Sequence, residues 1–140
     1  LSAIGTIVDQ PAHMAITSLG DHGRMNNIVS GFFNVSLLRA SDGSLLTNAT
    51  VGDISISCSV NSQTTADEGK DFVFTNRHDL RIWGDGNRSA VNLNGIVLHN
   101  PENGGVKKLV VGIDSVKKPD NAPEILISPT GSTAGFSIVE

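Results

Sequence analysis

Short runs in which apolar and polar side chains alternate recur along the whole chain, separated by clusters of turn-forming residues. The clearest run is 32–39, in which Phe33, Val35 and Leu37 alternate with polar residues. A period of two is typical of a strand with one face on the core and the other in water. No segment shows a convincing 3.6-residue period with helix caps, although 63–69 is long enough for one helical turn. The pattern therefore predicts an all-β protein.

Strand candidates follow one another roughly every 10–15 residues, which is typical of sandwiches and barrels. They are 4–8, 14–17, 32–39, 54–60, 72–75, 79–83, 91–93, 96–98, 109–113, 125–128 and 135–139. We predict a β-sandwich or jelly roll of about nine or ten short antiparallel strands. Without a linker or internal repeat, 1–140 is predicted to be one β-sandwich domain. Pro11 interrupts its first part, so that 1–20 is either an extended arm or core strands.

Two turns indicate hairpins. Asn94-Gly95 adopts the positive φ values of a type I′ turn at little steric cost. A two-residue loop there gives two apolar pairs on one face: Leu93 with Ile96, and Val91 with Leu98. The second hairpin is predicted around 41–44, where Ser-Asp-Gly-Ser separates 32–39 from a shorter apolar stretch.

Lysine pairs flank the apolar run 109–113, as Lys107-Lys108 on one side and Lys117-Lys118 on the other. Charges in this position are typical of an edge strand that must be kept from pairing wrongly. The alternative is a basic patch for an acidic partner.

Overall charge argues against two classes of partner. Charged residues make up 17% of the chain, against about 25% in an average soluble domain, and the formal net charge is −4. Such a surface repels phosphate, so we expect neither nucleic acid nor membrane insertion, and no apolar run approaches the 18 or so residues of a membrane helix. The start at Leu1 indicates a processed mature form or a piece of a longer protein.

No complete metal or cofactor site is found. The four histidines, His13, His22, His78 and His99, are too dispersed for a zinc or cupin-type site. Carboxylates crowd the loop at Asp67, Glu68 and Asp71, but their spacing does not match a calcium loop and is typical of a solvated turn. We therefore predict no cofactor and no metal.

Catalytic groupings are equally incomplete. Asp21, His22 and Arg24 form a polar cluster between glycines, yet no nucleophile motif accompanies them. Cys58 is the only cysteine and shares one side of a period-two run with Ile54 and Ile56, which predicts a small buried hydrophobe. The sequence thus favours a protein that is not an enzyme.

The segment Trp83–Arg88 is the best candidate for a ligand site, because the only Trp stands next to Asp85, Asn87 and Arg88. An aromatic ring beside planar polar groups suits the apolar face and the hydroxyls of a sugar. The run partly resembles the Trp-Gly-x-Glu-x-Arg motif of galectins, which are β-sandwich lectins, with Gly86 at the position of the glutamate. The structural alternative is that Trp83 is a core or rim aromatic before a tight turn.

Three hypotheses of function follow. The leading one is a non-enzymatic structural or interaction module in an extracellular or virion-surface assembly, with a protein partner or self-assembly, in which the N-terminal stretch docks on a neighbour by strand addition. The second is a carbohydrate-binding domain centred on Trp83, Asp85, Asn87 and Arg88. The third is a small β-fold enzyme whose site is assembled from residues far apart in sequence.

Overall fold

The fold is that of a computed structural model. It describes residues 11–18, 20, 28–29, 32–46, 53–75, 77, 80–83, 90–93, 96–98, 106–120 and 124–139. These residues form eleven strands and no helix, so the predicted all-β class is confirmed with slightly more strands than expected. The strands are β1 (Ala12–Ser18), β2 (Ile28–Val29), β3 (Phe33–Arg39), β4 (Asp53–Val60), β5 (Phe72–Phe74), β6 (Leu80–Trp83), β7 (Ala90–Asn92), β8 (Ile96–Leu98), β9 (Val106–Lys117), β10 (Ile125–Ile127) and β11 (Thr133–Val139).

Two four-stranded sheets make up most of the structure. The first sheet has the strand order β10-β1-β3-β7 and the second has the order β11-β9-β4-β6, while β2, β8 and β5 form a third, smaller ladder. All pairings are antiparallel except that of β1 with β10, which is parallel. This arrangement confirms the predicted β-sandwich, apart from the one parallel pair.

The core lies between the two large sheets. Phe33, Val35 and Leu37 of β3 are fully buried and alternate with partly exposed residues, as the sequence predicts. They belong to one continuous apolar cluster with the inward side chains of the second sheet, among them Ile56 and Leu109. Full burial of an aliphatic or aromatic side chain stabilises the folded state by about 1.5–3 kcal/mol, so this cluster is the main source of stability.

The predicted hairpin at Asn94-Gly95 is wrong. β7 pairs with β3, with Asn92 opposite Asn34, whereas β8 pairs with β2 on one side and β5 on the other, and no pairing within the described backbone joins β7 to β8. Turn chemistry is a local preference. Pairing of 90–92 with 34–36, and of β8 with both β2 and β5, satisfies the same backbone groups, and this tertiary arrangement overrides the local one.

Phe32 and Phe33 are both buried, and their ring centroids lie 5.3 and 5.0 Å from that of Phe136 on β11.

The second predicted hairpin is confirmed. The Arg39 N–H donates to the Ser44 carbonyl at 2.7 Å, and Leu38 pairs with Leu45 across the loop. Gly43 has a φ of 75°, which a residue with a side chain rarely adopts, and the Asp42 carboxylate accepts the Ser44 N–H at 2.9 Å. Here the conformational preference of the turn residues and the pairing of the flanking segments favour the same hairpin.

β1 is a core strand, so the interpretation of 1–20 as an arm is wrong for 12–18. The strand lies between β10 and β3, and Ala12, Met14 and Ile16 are buried. Pro11 precedes its first residue, where a missing N–H is tolerated. Residues 1–10 lie outside the described residues.

β9 is not an edge strand, which contradicts the interpretation of its flanking lysines as edge protection. It spans twelve residues and lies between β11 and β4. Lys107 and Lys117 stand near opposite ends of it, roughly 30 Å apart at about 3.3 Å per residue, so they do not form one basic patch either. The five central residues, 109–113, are all buried.

The loop 61–71 contains turns rather than the short helix considered for 63–69. The Asp67 carbonyl accepts the N–H groups of Lys70 and Asp71 at 3.1 and 2.8 Å, which is a single isolated turn. The Thr64 side chain binds the backbone of β9. Its Oγ1 accepts the Val110 N–H at 2.9 Å and donates to the Val110 carbonyl at 3.0 Å.

Candidate functional site

Trp83 is the last residue of β6, at one edge of the second sheet, and its Cα partner is Asp53 on β4. The other three residues of the predicted ligand site, Asp85, Asn87 and Arg88, lie outside the described residues. The polar cluster at 21–24 and three of the four histidines lie outside them as well. The turn after β6 therefore stays a predicted site.

Polar side chains surround the described end of β6. Arg81, Ser55 and Lys117 form one register row across β6, β4 and β9. The Arg81 guanidinium lies 3.9 Å from the Asp53 carboxylate, and both side chains are more than half exposed. An exposed pair of this kind adds little to stability and leaves both groups free to contact a ligand. Asp53 is far from Trp83 in sequence, so only the strand register reveals their proximity.

Serines cover the outward side of the same sheet. Ser55, Ser57 and Ser59 alternate with the buried residues of β4, and Ser115 is the partner of Ser57 on β9. Ser59 Oγ donates to Asp114 Oδ1 at 2.7 Å. This face presents hydroxyl groups and isolated charges rather than an apolar surface.

The outward side of the first sheet differs sharply, because an apolar row crosses it. The register places Leu126 beside His13, His13 beside Leu38, and Leu38 beside Leu45. We call these four residues the leucine row. Leu126 is 51% exposed and Leu45 is 43% exposed, whereas His13 and Leu38 are partly buried. Together they form an apolar strip across four neighbouring segments.

Two leucine doublets in the sequence indicate this row, although the alternating pattern alone does not predict it. Leu37-Leu38 and Leu45-Leu46 are doublets within alternating segments, and neighbouring residues in a strand point to opposite faces. One leucine of each doublet must therefore face outward. In the structure Leu37 and Leu46 enter the core, and Leu38 and Leu45 form part of the leucine row.

Two charged residues lie near the ends of the leucine row. Exposed Glu124 precedes Leu126 by two residues, and its carbonyl accepts the Ala12 N–H at 3.0 Å. Near the other end Arg39 Nη1 donates to the Leu45 carbonyl at 2.6 Å and to Ser44 Oγ at 2.9 Å. Arg39 follows Leu38 and is the register partner of buried Ala12, so it leaves β3 on the face opposite to the row.

Asp42 stands near the Arg39 end. Its pKa lies below the ordinary value because it accepts hydrogen bonds from the Ser44 hydroxyl and N–H, with the charge of Arg39 adding to the effect. Its carboxylate is thus engaged within the loop, at 2.6 Å from Ser44 Oγ.

A polar row runs parallel to the leucine row on the same face. It consists of Thr17, Asn34 and Asn92, which are register partners across β1, β3 and β7. Asn34 Oδ1 is buried and has no hydrogen-bond partner. The outward face of the first sheet therefore carries an apolar row and, beside it, a polar row with one buried acceptor that has no partner.

The carboxylates of the acidic loop, Asp71 and Glu68, form contacts with neighbouring residues of this protein. Asp71 is buried, and its Oδ2 accepts the Asp67 N–H at 2.8 Å. Glu68 forms an ion pair with Arg77 at 3.1 Å, and the Arg77 guanidinium lies 5.6 Å from the Phe74 ring centroid. Within the described ranges, no group of three or more His, Cys, Asp or Glu residues is placed to hold a metal ion.

Cys58 is fully buried on β4, as its period-two run predicts. Burial, with a smaller contribution from the negative charge of Asp114, raises the pKa of its thiol from 9.0 to about 12. A thiol that does not ionise is a poor nucleophile, so this environment favours a packing role.

Comparison with known proteins reveals the fold but no family. No protein-family description matches the chain, and no curated protein matches it. Among solved structures it is similar to the Calx CBD2 domain, with a TM-score of 0.55, 13% identity, and coverage of 91% of this chain and 85% of that one. It is also similar to a chain of a type I cohesin–dockerin complex from Clostridium thermocellum, with a TM-score of 0.51, 8% identity, and coverage of 94% and 96%.

Both likenesses extend over nearly the whole chain at very low identity, so what they establish is a shared β-sandwich architecture. The residues that the structure describes include no helix with the length and apolarity needed to span a membrane.

Proposed function

We propose that this protein is a non-enzymatic interaction module of an extracellular or virion-surface assembly, and that it docks onto protein through the leucine row. The observation that carries the proposal is the exposure of Leu126 and Leu45 on the outward face of an otherwise well-packed sheet. Neighbouring apolar residues that stay exposed in register mark a contact surface more than scattered ones do.

Energetics support a docking role for this row. About half of each terminal leucine remains accessible, and its burial would contribute about 1 kcal/mol per residue at the usual coefficient for apolar area. The similar chain from a cohesin–dockerin complex is a β-sandwich within a protein–protein complex, which agrees with this use of the fold. The extracellular or virion-surface location rests on the composition of the chain.

In-cell photo-crosslinking tests the proposal. A photoreactive amino acid replaces Leu126 in the protein expressed in its native host, and adducts are identified by mass spectrometry. Val106 is 62% exposed at the start of β9 in the second sheet, so the same replacement there is a matched control. We expect a defined protein adduct from position 126 and none from position 106. Absence of any adduct at position 126 would contradict the interaction function.

A second candidate function is glycan binding at the end of β6. It is supported by the register that brings Asp53 next to Trp83, with Arg81 in ion-pair range of Asp53. These groups add a carboxylate and a guanidinium to the predicted set of Trp83, Asp85, Asn87 and Arg88. Planar polar groups beside an aromatic ring are the usual partners of sugar hydroxyls.

Binding to a glycan array tests this second candidate function. The wild-type protein should bind a defined class of glycan, and Trp83→Ala should lose that binding while keeping the wild-type melting temperature. Leu126→Ser, on the other sheet, is the control that should bind as the wild type does. Silence of the wild-type protein across a broad array would reject glycan binding.

A further inference from the structure

We infer that the glycan bound at the end of β6 is an acidic one, and that its carboxylate or sulfate group lies between Arg81 and Lys117 on the outward face of the second sheet. This inference rests on the second candidate function, because it names the ligand class of that site. It follows from the register of the two cations, from their lack of protein partners, and from the hydroxyl groups beside them.

Arg81 and Lys117 lie on the same face of the sheet, on either side of Ser55. Ser55 is the Cα partner of Arg81 on β6 and of Lys117 on β9. We call these three residues the cationic row. The residues next to them along the three strands are buried or packed against the core, namely Leu80, Ile82, Ile54, Ile56 and Val116. Because neighbours in a strand point to opposite faces, all three side chains of the row leave the sheet on its outward face.

The width of the cationic row suits one acidic group. Neighbouring strands are about 4.8 Å apart, so the Cα atoms of Arg81 and Lys117 are roughly 10 Å apart across β4. Both residues are exposed, and their long side chains can approach one anion above Ser55 from opposite sides. A guanidinium offers paired N–H donors that match a carboxylate or a sulfate, and an ammonium adds a compact positive charge.

The protein itself does not engage the two cations. The Arg81 guanidinium lies 3.9 Å from the Asp53 carboxylate, which is too far for a hydrogen bond. Among the described residues, neither the Arg81 nor the Lys117 side chain has a hydrogen-bond partner. Arg77 differs, because its guanidinium donates two hydrogen bonds to the Glu68 carboxylate. The donors of the cationic row are therefore available to a ligand.

Hydroxyl groups adjoin the cationic row on the same face. Ser57 and Ser115 form the next outward register pair along β4 and β9. Within the part of the chain that the structure describes, the hydroxyls of Ser55, Ser57 and Ser115 form no hydrogen bond to the protein. The Ser59 hydroxyl, further along β4, is instead held by Asp114 at 2.7 Å. Hydroxyls beside two cations match a ligand that carries both an acid group and hydroxyls, as an acidic sugar does.

The remaining charges favour a single acidic group over a long polyanion. The formal net charge of the chain is −4, and Asp53 lies on the same face as the cationic row, so an extended polyanion is repelled. On the side away from Ser57, Asp53 and Trp83 form the adjacent register pair, about 6.7 Å along the strands. A sugar with its acid group in the cationic row therefore extends toward the proposed stacking residue.

Comparison of acidic and neutral glycans tests the inference. The wild-type protein is applied to an array of sialylated, uronic-acid, sulfated and neutral glycans. The strongest acidic ligand is then titrated beside the same glycan without its acid group. We expect a dissociation constant of about 0.1–1 mM at this exposed site, and binding about tenfold weaker for the neutral glycan. Raising the salt concentration from about 0.05 to about 0.5 M should reduce the difference. Separate carboxylated and sulfated glycans identify which acid group is bound.

Arg81→Gln and Lys117→Gln examine the cationic row directly. Each should weaken binding of the acidic glycan about five- to tenfold and leave the neutral glycan unaffected, because each removes one charge-assisted contact. Lys117→Gln leaves the Arg81–Asp53 pair in place, and Lys117→Arg should keep most of the affinity. The matched control is Lys108→Gln, which removes the same charge from β9 roughly 30 Å away and should bind as the wild type does. Thermal melts show that each variant is folded.

The other outcomes separate this inference from the function on which it rests. Equal binding of acidic and neutral glycans would overturn the inference and leave glycan binding in place. A preference for acidic glycans that survives both Arg81→Gln and Lys117→Gln, or that Lys108→Gln reduces as much as they do, would also overturn it. If the wild-type protein binds no glycan on the array, glycan binding and the inference are both rejected.

Discussion

Gly131 illustrates how one residue fixes the distance between two segments. It follows β10, and its carbonyl accepts the Ile16 N–H at 2.8 Å, so that this turn continues the pairing along the edge of β1. A Cβ built on Gly131 would lie 2.5 Å from the Cβ and 3.2 Å from the Cα of Ala15. Ala15 is buried on the outward side of β1 because the turn covers it.

Gly131→Ala should therefore lower the free energy of unfolding by about 1–3 kcal/mol, the usual cost of overpacking a tight site. Urea denaturation measures the change. Ala15→Gly removes the nearer of the two clashing atoms, so the double variant should lose less stability than the sum of the single variants. Strict additivity of the two changes would contradict the close approach.

The buried thiol of Cys58 makes a second prediction at this scale. Its pKa is raised from 9.0 to about 12 in the folded protein. Below about pH 9 the thiol is protonated in both states. Between pH 9 and 12 only the unfolded chain ionises, so the contribution of Cys58 to stability is lost as the pH rises, by at most about 1.4 kcal/mol per pH unit.

Urea denaturation of the wild type and of Cys58→Val at pH 8.5 and 10.5 measures this linkage. The wild type should lose about 1–2 kcal/mol more than the variant over that interval. The chain has no tyrosine, and both proteins carry the same lysines, so the difference between them isolates the thiol. Equal losses in the two proteins would show that the folded thiol ionises normally.

At the scale of strands, the sequence predicted where the strands lie better than which strands pair with each other. Alternation located β3 and β4, and the turn at 41–44 located its hairpin, because these depend on residues close in sequence. The partners of β7 and β8 could not be derived in that way, since 90–92 pairs with 34–36 and 96–97 pairs with 28–29, far along the chain. For the same reason the sequence could not predict Asp53 as part of the candidate glycan site, because Asp53 comes next to Trp83 only through the register of β4 and β6.

A disulfide distinguishes the observed pairing from the hairpin predicted at Asn94-Gly95. The Leu93 N–H donates to the Phe33 carbonyl at 3.0 Å, so the next pair, Asn34 and Asn92, is of the non-hydrogen-bonded kind. Cα atoms in such pairs are about 4.5 Å apart, within the range that a disulfide spans. Asn34→Cys with Asn92→Cys should therefore cross-link on mild oxidation without loss of fold.

Non-reducing mass analysis and thiol titration measure the cross-link. In the hairpin register Asn92 would face Val97, so Asn92→Cys with Val97→Cys is the control that should stay reduced. Buried Cys58 should remain unreactive in both proteins, as its raised pKa indicates. Cross-linking of the control instead of the 34–92 pair would contradict the observed pairing and support the hairpin.

At the scale of the whole molecule, β1 connects features that the sequence left separate. It is the only strand that pairs in both senses among the described residues, antiparallel with β3 and parallel with β10. Its inward residues Ala12, Met14 and Ile16 enter the core, and its outward residue His13 stands in the leucine row. Folding and the proposed docking surface therefore depend on one segment, which the sequence also allowed to be a detachable arm.

Deletion of residues 1–17 should consequently abolish cooperative folding, because it removes a strand between β10 and β3 with four buried residues. Losing Met14 and Ile16 alone costs about 4–10 kcal/mol by the measure of large-to-alanine substitutions, comparable to the whole stability of a domain of this size. Circular dichroism melts should show no thermal transition. Deletion of residues 1–10 leaves β1 in place and is the variant with which strand addition by the N-terminal stretch can be examined. A chain without residues 1–17 that still melts cooperatively near the wild-type temperature would refute the role of β1 as a core strand.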